Sequence, residues 1–169
     1  MGNIDNFVLD TVNDVVEICR DRARDFESAA GAIDSEALRK ELLRYSGERA
    51  RYAEALSGAL EEMGYAIRPH ALASGIIRRG WINLIQMRPG NHDHAVLAAC
   101  ERGEDWAIEA YADAIGAHVP GRIAEMLSTQ YQSIKATHDR IRELRDAADH
   151  RRHVLVSCSA DIELNRALV

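Results

Sequence analysis

Four long segments of the sequence place apolar residues three and four positions apart, and this spacing is what most limits the folds open to the chain. Residues with this spacing lie on one side of an α-helix, so each segment predicts a helix with an apolar face that must be buried. The four faces extend over residues 8–30, 38–63, 97–115 and 123–141. In a chain of 169 residues they predict one helical domain with a shared core.

Residues that cap or break helices separate these segments. Asn3 or Asp5 can cap the first helix, Asp34 the second, and Asn91 or Asp93 the third. Glycines and prolines mark the other boundaries, since Gly commonly ends a helix and Pro is accepted in its first turn. The predicted helices cover about residues 3–31, 34–64, 91–115 and 120–149.

The connections between the helices predict how they are arranged. Short connections join the first helix to the second and the third to the fourth, so the members of each pair should be antiparallel neighbours. The connection over residues 65–90 is long, which allows the third helix to run parallel to the second, and its stretch over residues 76–85 predicts a short helix. The fold class is therefore all-α, a ferritin-like four-helix bundle with one long crossover containing a short helix.

The last twenty residues are harder to interpret. Val154-Leu155-Val156 is a run of residues that favour strands, and Asp161 could cap a short last helix. We predict a bundle over residues 1–149 and a C-terminal tail over residues 150–169 that packs on the bundle or on a partner.

Composition excludes several classes of function. The net charge is -6 and Lys and Arg are dispersed among Asp and Glu, so no nucleic-acid partner is expected. No stretch of about 18 apolar residues and no signal peptide is visible, so no membrane partner is expected either. Cys19, Cys100 and Cys158 have wide, unpatterned spacing, which favours a reducing cytoplasm over a disulfide framework or a Cys-rich zinc site.

Two carboxylates on the third helix are the best candidates for a functional site. Helical periodicity turns both Glu101 and Glu104 toward the core, and His138 is expected to point inward from the fourth helix. Ferritin-like metal bundles use one Glu from each of two helices and a Glu-x-x-His pair from each of the other two. Such carboxylate and imidazole ligands suit iron or manganese.

The other positions of such a site hold residues that are not ligands of this kind. Cys19 stands at the centre of the first apolar face, Arg49 and Tyr52 replace Glu and His on the second helix, and Lys135 stands three residues before His138. Burying charges of one sign alone would cost several kcal/mol per ion. We therefore favour a buried ion-pair network, in which Arg49, helped by Lys135, neutralises the two glutamates, over a working metal site.

Three neighbouring acidic residues are expected to have no part in the centre. Glu17 and Asp21 fall on the opposite side of the first helix, which predicts a solvated face, and Glu48 lies at the edge of the second apolar face.

Gly103, between the two glutamates, costs about 1 kcal/mol relative to Ala inside a helix. This cost suggests that another backbone or side chain approaches closely, with Trp81 as one candidate. A tolerated surface glycine is the alternative.

Three motifs resemble a bacterial ferritin-like family of unassigned function, a domain of unknown function that is distantly similar to rubrerythrins and bacterioferritins. They lie over residues 79–84 (RGWINL), 100–105 (CERGED) and 136–141 (ATHDRI), and the resemblance covers roughly residues 6–147. It implies a ferritin-like four-helix bundle. Of the metal ligands in those relatives only Glu104 and His138 carry over, with Glu101 as an extra acid, so iron chemistry is not implied.

Three hypotheses for the function remain. We favour a non-enzymatic helical protein without a cofactor that self-associates, as a homodimer, or binds an unidentified protein partner, for example in a stress response. The first alternative is a metalloprotein that binds iron or manganese at a reduced site. The second is a small-ligand pocket in the bundle core, lined by Glu104, Arg49, Tyr52 and His138.

Overall fold

The computed structural model describes the backbone of residues 6–66, 92–119 and 121–167, and the side chains of these residues as far as residue 150 except at residue 92. Within these ranges the chain forms four α-helices and no strand, which confirms the predicted all-α class. The helices are α1 (Asn6–Ala32), α2 (Glu36–Glu62), α3 (His92–Gly116) and α4 (Gly121–Ala167). None of the helices searched in these ranges is both long and apolar enough to cross a membrane.

The two ends of α2 show how local chemistry sets its length. Ser35, and not Asp34, caps its start, because the Ser35 hydroxyl accepts a hydrogen bond from the Leu38 amide at 3.4 Å. Gly64 follows its end with a φ of 82°, a conformation that costs glycine little. In this conformation the Gly64 amide donates to the Glu61 carbonyl at 2.9 Å, which satisfies one of the last carbonyl groups of the helix.

The length of α4 differs from the prediction. We expected this helix to end near Asp149 and to be followed by a separate short helix, but α4 continues without a break to Ala167. The β-branched residues from Val154 to Val156 disfavour a helix only weakly, and no Gly or Pro follows Gly121. Nothing in the sequence therefore stops the helix once it has begun. Packing of residues 150–169 on the bundle or on a partner stays a prediction.

Contacts between the helices define their directions. α1 packs against α2 and α3, whereas α4 packs against α3 and, more narrowly, α2. The end of α1 meets the start of α3, where the Asp34 amide donates to Asp93 at 3.4 Å, so these helices are antiparallel. Since the short turn at Ile33–Ser35 also makes α1 and α2 antiparallel, α2 and α3 run in the same direction. The crossover and its short helix, predicted over residues 65–90, lie almost wholly outside the described residues.

The core consists of two apolar clusters with a polar layer between them. One cluster extends from Leu9 to Cys19 on α1 and the other from Phe26 to Ile33, each with matching residues on the other helices. Between the clusters every helix contributes at least one buried polar residue. We call four of them, one from each helix, the central layer: Arg22 on α1, Arg49 on α2, Glu104 on α3 and Thr137 on α4.

Candidate functional site

The Arg49–Glu104 ion pair lies at the middle of the central layer. Both side chains are fully buried. Arg49 Nε donates to Glu104 Oε1 at 3.4 Å, and Arg49 Nη2 donates to Glu104 Oε2. The pair joins α2 to α3, which lie diagonally across the bundle. The structure thus brings together the cation and the carboxylate that the ion-pair interpretation assigned to each other.

The surroundings of Arg49 keep its guanidinium charged. Burial alone would lower the pKa of Arg49, but the negative charge and the hydrogen bonds of Glu104 raise it above its ordinary value. The guanidinium carbon also lies 5.5 Å from the ring centre of Tyr52 and 6.0 Å from that of Phe26. At these distances the rings add cation–π attraction to the carboxylate contact.

Glu48 is a second acceptor for Arg49, which the sequence interpretation missed. Its Oε1 accepts hydrogen bonds from Arg49 Nη1 at 2.9 Å, from the Tyr52 hydroxyl at 3.0 Å and from the Ser133 hydroxyl at 2.7 Å. Burial would raise the pKa of Glu48, but the Ser133 hydrogen bond, the charge of Arg49 and the Tyr52 hydroxyl outweigh it, so this pKa is lowered. The ionised carboxylate therefore connects the central layer to α4. The sequence feature that could have indicated this role of Glu48 is its spacing of four residues from Tyr52.

Gly103 lies directly beneath the guanidinium of Arg22. A methyl group added at Gly103 would overlap this guanidinium. The expected close approach is therefore confirmed, and the approaching group is Arg22; Trp81 lies outside the described residues. Arg22 is 3% exposed and pairs with Asp25, while its Nε has no hydrogen-bond partner among the described residues. Burial lowers the pKa of Arg22.

The expectation of a solvated face around Asp21 is wrong. Asp21 is 7% exposed and pairs with the exposed Arg24, while Glu17 is half-buried and accepts from Arg20 at 2.6 Å. The physical reason is that α1 packs against two helices, so more of its circumference is covered than a single apolar face.

Cys19 begins a chain of hydrogen bonds across the core next to this layer. The Tyr111 hydroxyl donates to Gln130 Oε1 at 2.6 Å, so the Cys19 thiol, 3.2 Å from the same hydroxyl, acts as its donor. Burial raises the pKa of Cys19 to about 11 and also raises that of Tyr111. At neutral pH these groups are neutral partners in packing. Neither Tyr111 nor Gln130 was among the predicted site residues.

Glu101 lies one turn before Glu104 but at the edge of the bundle. It pairs with Arg145 of α4, not with Arg49 as predicted. The side chain of Arg145 is 27% exposed. The imidazole of His138 lies nearby, with Nε2 3.0 Å from Asp105 Oδ1 and 4.0 Å from Glu101 Oε1. His138 is thus half-buried in this peripheral group and does not face the core.

Lys135 has no role in neutralising the buried acids. It is exposed, with its ammonium 5.6 Å from the ring centre of Tyr131. The α4 residues that face the core are Ile134 and Thr137, so the predicted inner pair, Lys135 and His138, was one position out of register. Arg145 supplies the cation that Lys135 was expected to supply.

The described side chains offer no ready metal site. Among them, no three His, Cys, Asp or Glu residues are grouped so that they could hold a metal ion. Both oxygens of Glu104 are contacted by nitrogens of Arg49. The three sequence candidates for ligands are also divided, since Glu104 lies in the central layer while Glu101 and His138 lie at the edge.

Comparison with known proteins identifies a family. The sequence profile described as domain of unknown function (DUF2383) matches residues 8–117, which include Arg22, Arg49 and Glu104. Comparison with curated proteins gives no match. Because the profile covers more than half of the chain, the protein belongs to the family of domains of unknown function DUF2383, and the predicted ferritin-like relationship stays a prediction.

Proposed function

We propose that this protein is a ferritin-like bundle in which an ion-pair layer stands where a metal centre would lie, and that it acts without catalysis through its surface. The observation that carries the proposal is the position of Arg49. Its guanidinium is fully buried in the middle of the bundle and contacts both oxygens of Glu104, the acid best placed to be a metal ligand.

The directions of the helices support the ferritin-like arrangement. α1 and α2 form one antiparallel pair and α3 and α4 another, while α2 and α3 run in the same direction. On the side where α2 packs against α4, Glu62 near the end of α2 pairs with Arg122 at the start of α4. Two antiparallel pairs with parallel second and third helices are the arrangement of a bundle with one long connection between its halves.

Charge favours an ion pair over a metal in this layer. A divalent cation on Glu104 would have to displace Arg49, whose positive charge is already buried and compensated. Leaving that guanidinium buried without its partner would cost several kcal/mol. The neighbouring inner residues Cys19, Tyr52 and Thr137 also lack the carboxylate and imidazole groups that iron and manganese prefer. No contact among the described residues favours the two alternatives, an iron or manganese site and a small-ligand pocket.

The metal content of a Glu104→Gln variant tests the proposal. We expect less than about a tenth of an equivalent of iron, manganese or zinc in the wild type and in E104Q after anaerobic ferrous loading. E104Q should nevertheless lose thermal stability, because Arg49 would remain buried without a carboxylate. The matched control is Glu109→Gln, which changes an exposed acid of the same helix and should behave like the wild type. About one equivalent of metal in the wild type that is lost in E104Q would overturn the proposal.

We further propose that the protein forms a homodimer and works in the cytoplasm. The two cysteines with described side chains, Cys19 and Cys100, are buried free thiols, which suits a reducing compartment. Light scattering at micromolar concentration should give twice the mass of one chain. A monomeric mass would contradict the dimer.

A further inference from the structure

The side of α2 that points away from the core is charged and exposed. The buried positions of α2 follow helical spacing from Leu38 to Leu60, and a second row with the same spacing lies on the opposite side of the helix. We call the charged residues of this second row the outer face of α2: Lys40, Arg44, Arg51, Glu54, Glu61 and Glu62. Because all of these side chains are exposed, the outer face is available for contact with another molecule.

The charges of the outer face change sign once along the helix. The basic residues Lys40, Arg44 and Arg51 come first, and the three glutamates follow. Glu36 is the one other exposed acid of α2, and it already pairs with Arg39 at 3.0 Å. In two antiparallel copies of α2, the basic half of one outer face lies beside the acidic half of the other. In two parallel copies in register, each charge would lie beside the same charge.

The residues at the middle of the outer face have charges that the bundle itself does not use. Neither Arg51 nor Glu54 forms an ion pair with another side chain in the part of the chain that the structure describes, and the same holds for Glu61. The other members have one ion-pair partner each: Glu36 for Lys40, Glu48 for Arg44 and Arg122 for Glu62. The free charges are therefore of both signs and lie on one surface.

An antiparallel pair brings these free charges together when its two-fold axis passes midway between positions 52 and 53. Arg51 and Glu54 are equally far from this point along the sequence, so each Arg51 lies level with Glu54 of the other copy. Arg44 lies level with Glu61 for the same reason. A two-fold interface requires a surface that complements itself, because residue i of one copy contacts residue j of the other and the reverse. The outer face meets this requirement.

We propose that the outer face of α2 pairs with the same face of a second copy of this chain in antiparallel orientation and forms the dimer interface. This inference rests on the homodimer proposed above and assigns it to one surface. The Arg51–Glu54 contact occurs twice at the centre, and unlike charges select the antiparallel orientation. Leu43, which is 47% exposed beside Arg44, adds apolar area at each end of the contact.

The test is sedimentation velocity on the full chain with two charge-reversed variants. R51E should weaken dimerisation at least about tenfold, because two acids of one copy would then face two acids of the other. E54R should weaken it similarly, since arginines would face arginines. An equimolar mixture of R51E and E54R should dimerise again, because one chain is acidic at both positions and the other is basic at both. The controls R102E and E109R reverse exposed charges of α3 and should keep the wild-type dissociation constant.

Each outcome of this experiment decides for or against the interface. Recovery in the mixture supports it and also shows that both variants are folded. Wild-type dissociation constants for R51E and E54R overturn it, since a parallel pair or an interface elsewhere would respond in this way. A mixture that dimerises no better than its components overturns it as well. A monomeric wild type overturns the dimer together with the interface, but leaves the metal test of Glu104 untouched.

Discussion

Glu104 and Glu101 lie one helical turn apart on α3, and each pairs with an arginine in very different surroundings. Glu104 and Arg49 are both fully buried, whereas Glu101 retains 12% of its side-chain exposure and Arg145 retains 27%. Water can solvate part of the Glu101–Arg145 pair and none of the Glu104–Arg49 pair. Both pairs gain from the attraction between opposite charges, but only the buried pair carries the full penalty of removing its charges from water.

The two partners of an ion pair depend on each other more strongly when they are more deeply buried. In the centre, Arg49 and Glu104 each remove the penalty of burying the other, so the loss of one partner should cost more than the loss of both. At the edge, solvent can replace a lost partner. Four changes test this contrast, from the largest expected effect to the smallest.

The first is Arg49→Met, which leaves Glu104 and Glu48 without their shared cation. We expect the free energy of unfolding to fall by about 3–5 kcal/mol, measured by urea denaturation. The control is the double variant R49M/E104M, which removes both buried charges and should recover most of the loss. A fall below about 1 kcal/mol for R49M would show that the central pair is no more mutually dependent than a surface pair.

The second is Gly103→Ala, which places a methyl group where the Arg22 guanidinium lies. Overpacking of this kind should cost about 1–3 kcal/mol in the same denaturation experiment. Gly58→Ala is the matched control, because Gly58 lies inside α2 with nothing within 4 Å of the added methyl group, and it should stabilise by up to about 1 kcal/mol. If both variants raise the free energy of unfolding, the Arg22 guanidinium does not contact Gly103.

The third concerns the Cys19 thiol beside the central layer. Its pKa is raised from 9.0 to about 11 in the folded protein. The thiol therefore contributes stability that is present below pH 9.0 and is lost as the pH rises through about 11, because the unfolded chain releases this proton first. We expect a fall of about 2–3 kcal/mol from this group, and a smaller total fall over this pH range in Cys19→Ala. If the free energy of unfolding falls equally steeply with pH in the wild type and in the variant, the raised pKa of Cys19 is contradicted.

The fourth is Glu101→Gln at the edge. We expect a cost of about 1 kcal/mol or less that shrinks further in about 1 M salt, because the exposed part of the pair is screened. The same change at Glu104 should cost more and depend little on salt. Equal costs at the two positions would remove the distinction between centre and edge.

The helices and the centre of the site were predictable to different degrees. Four helices follow from periodicity because a helix is formed by hydrogen bonds between residues close in sequence. The end of α4 was missed because β-branched residues are only a weak signal, whereas Gly64 correctly marked the end of α2. The close approach at Gly103 was inferred from its local cost, but its partner, Arg22, depends on how α1 lies against α3.

The partners of the two glutamates show the same limit. Arg49 was assigned to Glu104 from its place on an apolar face, whereas Lys135 was chosen in place of Arg145. A shift of one residue turns a helical position by about 100°, so small errors of register move a side chain from core to surface. Glu48 and Asp21 were misjudged for a related reason, because each helix is covered by two neighbours and the edge of one face is buried by another.

The sequence by itself determined the all-helical class, the charged and apolar composition of the faces, and the coexistence of Arg49 with Glu104 on inward positions. Only the tertiary structure decided which charges lie without water and which cation pairs with which acid. Helix formation depends on neighbours in sequence, but desolvation and charge pairing depend on distances between residues far apart in the chain. The two glutamates are nearly equivalent in sequence, and their positions relative to solvent make one a buried partner of Arg49 and the other a peripheral partner of Arg145.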